Sequence, residues 1–109
     1  MQPNQTFNDS KVSAASDEDV VIIGMARTAM TKANRGPQKD TPVEAMLVPV
    51  LQAVIKQANI DPKHVNDVCL GNVSNGGSAA MNGRMAMFLA GFPETTTLSS
   101  INRFCSSGL

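Results

Sequence analysis

Hydrophobic side chains are sparse over residues 1–19 and then recur in separate blocks to the end of the chain. The first stretch is polar. Apart from the initial methionine, Phe7 and Val12 are its only bulky apolar side chains, and the pattern predicts a flexible arm. The folded part begins at Val20. We therefore divide the chain into a polar arm, 1–19, and a partial domain, 20–109.

Three runs rich in β-branched residues predict strands in that domain. Val20–Gly24 is a continuous apolar run ended by glycine, which is typical of a strand buried on both faces of a parallel sheet. Asp67–Val73 predicts a second strand and Thr95–Ile101 a third. Two helical patterns separate these runs. The resulting order predicts an α/β fold, a βαβαβ portion with an incomplete parallel sheet and helices.

The first helical pattern begins at Thr41–Glu44, a capping box with proline at the first helical position. Apolar residues then recur at three- and four-residue spacing as far as Ala58, which predicts one buried stripe. Pro49 removes one backbone hydrogen bond and should kink this helix. Asn59 is suited to end it, and residues 61–64 predict a single turn.

The second helix is predicted over Ala79–Ala90, with Ser78 as its cap and Gly91 at its end. We expect Arg84 to have a structural role on this helix, either in a salt bridge on the helix face or in a contact across a subunit interface. Four large side chains are predicted to face inward: Met81, Met85, Phe88 and Leu89.

Charge and cysteine content narrow the function classes. Nine Lys+Arg and nine Asp+Glu give the 109 residues a net charge of zero, which argues against nucleic acid or an anionic membrane surface as partner. No apolar run approaches the ~20 residues that span a bilayer. Cys69 and Cys105 do not make a zinc-ligand spacing, so no metal site is expected. Cys69 falls inside the second strand and is predicted to be a core residue.

Residues 102–109 are the one segment that indicates chemistry, because Cys105 directly follows a predicted strand and Ser-Ser-Gly should open a helix. Amides at a helix N-terminus stabilise an anion, either a thiolate or an oxyanion. On the residues alone, a nucleophile and a buried structural cysteine remain alternatives.

The same segment, Asn102–Leu109, resembles the first active-site segment of thiolases, the enzymes that cleave or form 3-oxoacyl-CoA. Val21–Thr28 resembles the opening strand and loop of that family. Val68–Val73 is similar to its second strand, and Asn82–Pro93 to its second helix and the following turn. The order and spacing match over roughly 19–109. The resemblance implies a thiolase-type layered fold.

The resemblance also implies a mechanism in which Cys105 attacks the 3-oxo carbonyl of an acyl-CoA. Acetyl-CoA leaves, an acyl-thioester stays on the enzyme, and free CoA takes the acyl group. The activity implied is that of an acetyl-CoA C-acyltransferase in fatty acid β-oxidation, or the reverse condensation. Coenzyme A is then a substrate, and no other cofactor is expected.

Other groups that this chemistry needs lie downstream of the nucleophile in thiolases: an activating histidine, a second cysteine, and the second histidine and asparagine of an oxyanion hole. We therefore expect the 109-residue chain alone to be inactive. His64 is the single histidine and is predicted to be a surface turn residue. The basic residues of the long connection 27–40 could meet a phosphate, but a solvated loop is favoured, and none is assigned to CoA.

Three alternatives to a thiolase piece remain open. One is a fragment of a condensing enzyme of the ketoacyl-synthase type, which shares the general fold; Asn102-Arg103 and Gly108 favour thiolase over it. Another is a non-catalytic truncated product that pairs with full-length subunits. The weakest is a cysteine hydrolase, which lacks a downstream histidine.

The resemblance further implies a homo-oligomer in the full-length form and, from the second helix and the preceding Gly-rich loop, a peroxisomal enzyme. Mitochondrion and cytosol are the alternatives.

Since two crossovers in one direction put both helices on one side of a sheet, the other sheet face is expected to lie bare.

Overall fold

A computed structural model describes residues 16–108 of the chain. Two helices and two strands alternate along it, with a short 3₁₀ turn after the first helix. The elements are α1 (Val43–Ala58), the 3₁₀ turn (Pro62–His64), β1 (Asp67–Gly71), α2 (Ala80–Ala90) and β2 (Thr97–Ile101). The fold is α/β, as predicted.

β1 and β2 form a parallel pair that runs in register from Asp67 opposite Thr97 to Gly71 opposite Ile101. Helix α2 is the crossover between them, as the order of patterns predicted. Both strands are slightly shorter than predicted, because the chain turns away immediately after Gly71 and pairs only from Thr97 onward. A parallel pair joined by one helix is the elementary βαβ unit.

Helix α2 approaches the sheet closely at Gly83. A Cβ atom on Gly83 would lie 2.7 Å from Cδ2 of Leu70 and 3.0 Å from Cδ1 of Leu98. Since side chains alternate along a strand, the half-buried Val68 shares the helix-covered face with these leucines. Glycine at this position therefore sets the helix-to-sheet distance.

Within residues 16–108, no helix or strand covers the opposite face of the sheet. The expectation of two helices on one side rested on three strands and is not tested by this two-stranded pair. Cys69 is paired with Ser99 across the ladder, and both side chains are exposed. The prediction that Cys69 is a core residue is wrong. Its strand position was right, but the alternation of side chains directs it to the face that no described element covers.

Val20–Gly24 is not a strand in the structure, so the predicted third member of the sheet is missing from the described residues. Ile22 is 82% exposed, and residues 20–31 make no backbone–backbone hydrogen bonds with the rest of the described chain. One tie to α1 is present, from the Met25 amide to Oε1 of Gln57 at 2.8 Å. A β-branched run favours extended backbone, but only a paired neighbour makes it a strand.

The apolar stripe of α1 is confirmed in position, but it is half-buried at Leu47, Leu51 and Val54 and none of the helix is fully buried. The capping box is wrong: Pro42 occupies the N-cap position and no side chain caps the helix. The helix continues through Pro49 to Ala58. Asn59 ends it in the left-handed conformation, at a φ of 53°.

The predicted inward face of α2 is wrong. The buried residues are Gly83, Ala86 and Met87. The small side chains at 83 and 86 let the helix approach its neighbours closely. Ser78 lies one residue before the N-cap, Ala79, and its Oγ accepts from the Ala80 amide at 3.4 Å. The four side chains predicted to face inward are exposed: Met81, Met85, Phe88 and Leu89.

Arg84 ties α2 to the loop that leads into β2. Its guanidinium donates to the carbonyl of Glu94 at 2.7 Å and to the carbonyl of Thr96, and it lies 4.4 Å from the centre of the Phe88 ring. Thr96, itself 1% exposed, donates through Oγ1 to the carbonyl of Val65 at 2.8 Å. The structural role predicted for Arg84 is confirmed as a backbone clamp rather than a salt bridge.

Candidate active site

The chain makes a tight turn immediately after β2, and Cys105 lies within it. The amide of Ser106 donates to the carbonyl of Arg103 at 3.2 Å, and the amide of Ser107 donates to the carbonyl of Phe104 at 3.1 Å. Through Gly108 the backbone has turn geometry, where the sequence predicted the opening of a helix. The position after a strand is as predicted. Cys105 is a free, exposed thiol.

Phe104 gives this turn an unusual backbone. Its φ is 52°, in the left-handed region that non-glycine residues seldom occupy. Such a conformation costs about 1–3 kcal/mol and persists only where surrounding contacts enforce it. One of those contacts comes from Asn102, whose Oδ1 accepts from the Phe104 amide at 2.9 Å. The residue that precedes the thiol is therefore held in a strained state.

Ser107 supplies the other contacts on the turn. Its Oγ accepts from the Arg103 amide at 2.8 Å and donates to the Phe104 carbonyl at 2.6 Å. Ser107 is buried, at 7% exposure, while Cys105 beside it is open to solvent. A buried hydroxyl with both a donor and an acceptor partner is fully satisfied.

The end of β1 lies directly against this turn. A Cβ atom on Gly71 would lie 2.1 Å from the carbonyl oxygen of Ser107 and 2.4 Å from its carbonyl carbon. No side chain fits in that space, so glycine is required at this strand end. The two strands thus bring residues far apart in sequence to one edge of the sheet.

Asn72 organises the loop that follows β1. Its side chain donates to the carbonyls of Asn75 at 3.2 Å and Gly77 at 3.1 Å, and its Oδ1 accepts from the Asn75 amide at 3.1 Å. The loop and the end of β2 border a pocket of mixed polar and apolar lining, which includes Ser78 and Ser100 but not Cys105. Ligand crevices of parallel sheets lie at the carboxyl ends of strands, where this pocket is.

Sequence reasoning singled out Cys105 and missed Gly71, Asn72 and Ser107. Glycine after a buried strand run is a signal of close backbone approach and could have identified Gly71. An asparagine at the start of a Gly-rich loop is a known turn signal that fits Asn72. Ser107 has no such signal, because its partners depend on the fold of the turn.

The remaining candidate residues are not brought to this site. His64 lies exposed in the 3₁₀ turn, as predicted, and Cys69 lies on the bare sheet face. The basic side chains of 27–40 are exposed; within them Lys39 pairs with Asp40 at 3.6 Å. Over residues 16–108, no cluster of three or more His, Cys, Asp or Glu side chains is placed to hold a metal ion.

One carboxylate outside the turn has an altered titration. The pKa of Glu44 is lowered, first by a hydrogen bond from its own backbone amide and second by the amide of Asn82, whose Nδ2 lies 3.0 Å from Oε2. This pair joins the first turn of α1 to α2. It is a structural link between helices and lies away from Cys105 in sequence.

Among the residues described, neither helix has the length and apolar character that crossing a bilayer demands.

Comparisons with known proteins identify the family of this chain. The family model described as thiolase, N-terminal domain, matches residues 20–109. The peroxisomal 3-ketoacyl CoA thiolase 1 of Petunia hybrida is 52% identical over 98 residues, which cover 89% of this chain and 21% of that protein. The human peroxisomal 3-ketoacyl-CoA thiolase is 46% identical over 95 residues, covering 87% of this chain and 22% of that protein.

The crystal structure of the dimeric peroxisomal thiolase of Saccharomyces cerevisiae superposes with a TM-score of 0.80 at 34% identity. The match covers 88% of this chain and 25% of that one. The chain spans about a fifth of the length of the curated relatives it matches. With a family match over residues 20–109 and a thiolase fold around the Cys105 turn, the chain belongs to the thiolase family, by its N-terminal domain.

Proposed function

We propose that residues 20–109 are the nucleophile-bearing part of a thiolase-type acyltransferase, and that Cys105 is the residue that takes the acyl group. The observation that carries the proposal is the position of Cys105. Its exposed thiol lies in a tight turn directly after β2, inside the stretch that matches the thiolase N-terminal domain. An exposed thiol is accessible to an incoming thioester substrate.

In this reaction the Cys105 thiolate attacks the 3-oxo carbonyl carbon of a 3-oxoacyl-CoA. The bond between C2 and C3 breaks, and its electron pair goes to C2, which takes a proton and leaves as acetyl-CoA. An acyl-thioester remains on Sγ. The thiol of free CoA then attacks that thioester. An acyl-CoA shortened by two carbons leaves, the Cys105 thiolate is regenerated, and the proton of the CoA thiol is released.

The names of the relatives support the proposed substrate class and compartment. Both the Petunia and the human protein are named peroxisomal 3-ketoacyl-CoA thiolases. We extend to this chain both the 3-oxoacyl-CoA substrate and the peroxisomal location. Coenzyme A enters as substrate, and the proposal requires no metal or other cofactor.

A homo-oligomer is part of the proposal. The yeast thiolase with the same fold is named dimeric. Four exposed large side chains of α2 and the exposed apolar run that begins at Val20 give this chain apolar surface that favours association.

The test replaces the matching segment of the Petunia thiolase with residues 20–109 of this chain. We expect the chimera to cleave acetoacetyl-CoA and longer 3-oxoacyl-CoA substrates only in the presence of CoA. Cys105→Ala should abolish turnover and the acyl adduct that mass spectrometry detects on the peptide containing residue 105. The matched control is Cys69→Ala, on the bare sheet face, which should leave turnover within twofold of the unsubstituted chimera. Turnover that survives Cys105→Ala would refute the assignment.

A further inference from the structure

Ser107 links the two ends of the turn that presents Cys105. We propose that Ser107 is a positioning residue for the Cys105 thiol, seated against Gly71. The inference rests on the proposed function, since it assigns Ser107 a role only because Cys105 is the acyl acceptor. Ser107 itself touches no substrate in this role and acts through the backbone of the turn.

The hydroxyl of Ser107 contacts peptide groups on both sides of Phe104. It accepts from the Arg103 amide at 2.8 Å and donates to the Phe104 carbonyl at 2.6 Å. That carbonyl belongs to the peptide bond that leads into Cys105. The orientation of the Cys105 backbone nitrogen is therefore tied to the Ser107 side chain.

The hydrogen bond from Ser107 helps to keep Phe104 in its strained conformation. At a φ of 52°, Phe104 is in a state that an unrestrained chain would leave. Asn102 and Ser107 supply the side-chain bonds that oppose this relaxation. Without the hydroxyl, the Arg103 amide loses its acceptor and the Phe104 carbonyl keeps only the Ser107 amide as its donor, so the turn can relax toward an ordinary conformation with Cys105 displaced.

Gly71 fixes the turn to the sheet. A Cβ atom there would lie 2.1 Å from the Ser107 carbonyl oxygen, so the Ser107 backbone rests on the bare Cα of the strand end. The strand end and the hydroxyl together hold the turn in which Cys105 lies. Loss of about 1 Å in the placement of a reacting group can cost on the order of 10² in rate.

The test uses the same chimeric enzyme with Ser107→Ala, Ser107→Thr and Ser106→Ala. Ser107→Ala should lower kcat by roughly 10- to 100-fold with little change in KM for CoA, because placement and not CoA binding is lost. Ser107→Thr keeps Oγ and should restore most of kcat. Ser106→Ala removes an exposed hydroxyl next to the same thiol and should change kcat far less. The amplitude of the first-turnover burst counts competent sites, so slower chemistry is distinguished from misfolding.

Hydrogen exchange supplies a readout that does not depend on turnover. In the peptide covering residues 102–108, Ser107→Ala should speed exchange of the Arg103 amide, while exchange in β1 stays unchanged. An inactive but folded chimera would refute the proposed function, and the exchange measurement would then still show whether Ser107 holds the turn. The inference fails if Ser107→Ala leaves both kcat and exchange unchanged. It also fails if Thr does not rescue, or if Ser106→Ala costs as much.

Discussion

Two regions are rich in apolar residues: the corner where α2 turns towards β2, residues 86–92, and the segment before α1, residues 20–31. Only the corner is packed. At the corner, Ala86 and Met87 are fully buried and Phe92 is 6% exposed. In the segment, Val20 is fully exposed and the large apolar residues after it are largely so. The two regions differ in whether a packing neighbour is present. A local hydrophobic pattern predicts burial where a helix and a paired strand cover each other. It does not predict burial where the neighbouring strand is absent from the described chain.

Truncating one methionine in each region should give the largest difference in the free energy of unfolding. Met87→Ala removes a fully buried side chain and should lower the free energy of unfolding by about 2–5 kcal/mol. Met25→Ala, at a side chain 74% exposed, should change it by less than about 0.5 kcal/mol. Urea denaturation followed by circular dichroism measures both. Equal effects would mean that the corner is no better packed than the segment.

Removal of the backbone clamp should have the next largest effect. Arg84→Met leaves the Glu94 and Thr96 carbonyls without their charged donor and should cost about 1.5–3 kcal/mol. Arg27→Met is the matched control, because Arg27 is exposed and, among residues 16–108, its side chain donates only to the adjacent Thr28 carbonyl. If Arg84→Met melts with the parent chain, the clamp does not hold the loop before β2.

Polar substitution in the segment should alter association rather than stability. Ile22→Asn replaces an exposed residue, so unfolding should shift by less than about 0.5 kcal/mol while the monomer fraction rises in sedimentation velocity. Ile55→Asn, on the half-buried stripe of α1, should destabilise instead. An unchanged sedimentation profile for Ile22→Asn would exclude the segment as the associating surface.

Acid should weaken the contact between α1 and α2 slightly. The folded-state pKa of Glu44 is lowered from its ordinary value of 4.5, so the carboxylate stabilises the folded state above that value. This contribution is lost as the pH falls through the lowered pKa. Between pH 6 and pH 3, Glu44→Gln should lose less stability than the parent chain does. A parallel decline of the two proteins would show that Glu44 contributes nothing.

The success of sequence reasoning here follows the range of the interactions involved. The stripe of α1 and the left-handed end at Asn59 depend on neighbours in sequence and were predictable. The inward face of α2 was not, because Gly83 and Ala86 gain their burial only once the sheet is in place. A large side chain such as Met85 matches a helical period on either face, and period alone does not say which face is covered.

The candidate site divides in the same way. Cys105 was singled out from its segment alone, which lies inside the family match over residues 20–109, and its role stays a proposal. The seat of Ser107 on Gly71 joins residues from different strand ends, so no local pattern contains it. The strained φ of Phe104 likewise follows from hydrogen bonds of the folded turn, which the identity of a phenylalanine does not encode.

The parallel ladder has a kinetic consequence. Asp67 and Thr97 are thirty residues apart in sequence, and every other pair of the ladder keeps the same separation. Forming one pair therefore does not shorten the loop that the next pair closes, whereas in a hairpin each pair shortens it. The entropy cost of closing that long loop precedes the formation of any pair. Folding should pass through one barrier at which α2 docks and both strands align together, and the Cys105 turn should be among the last parts to form.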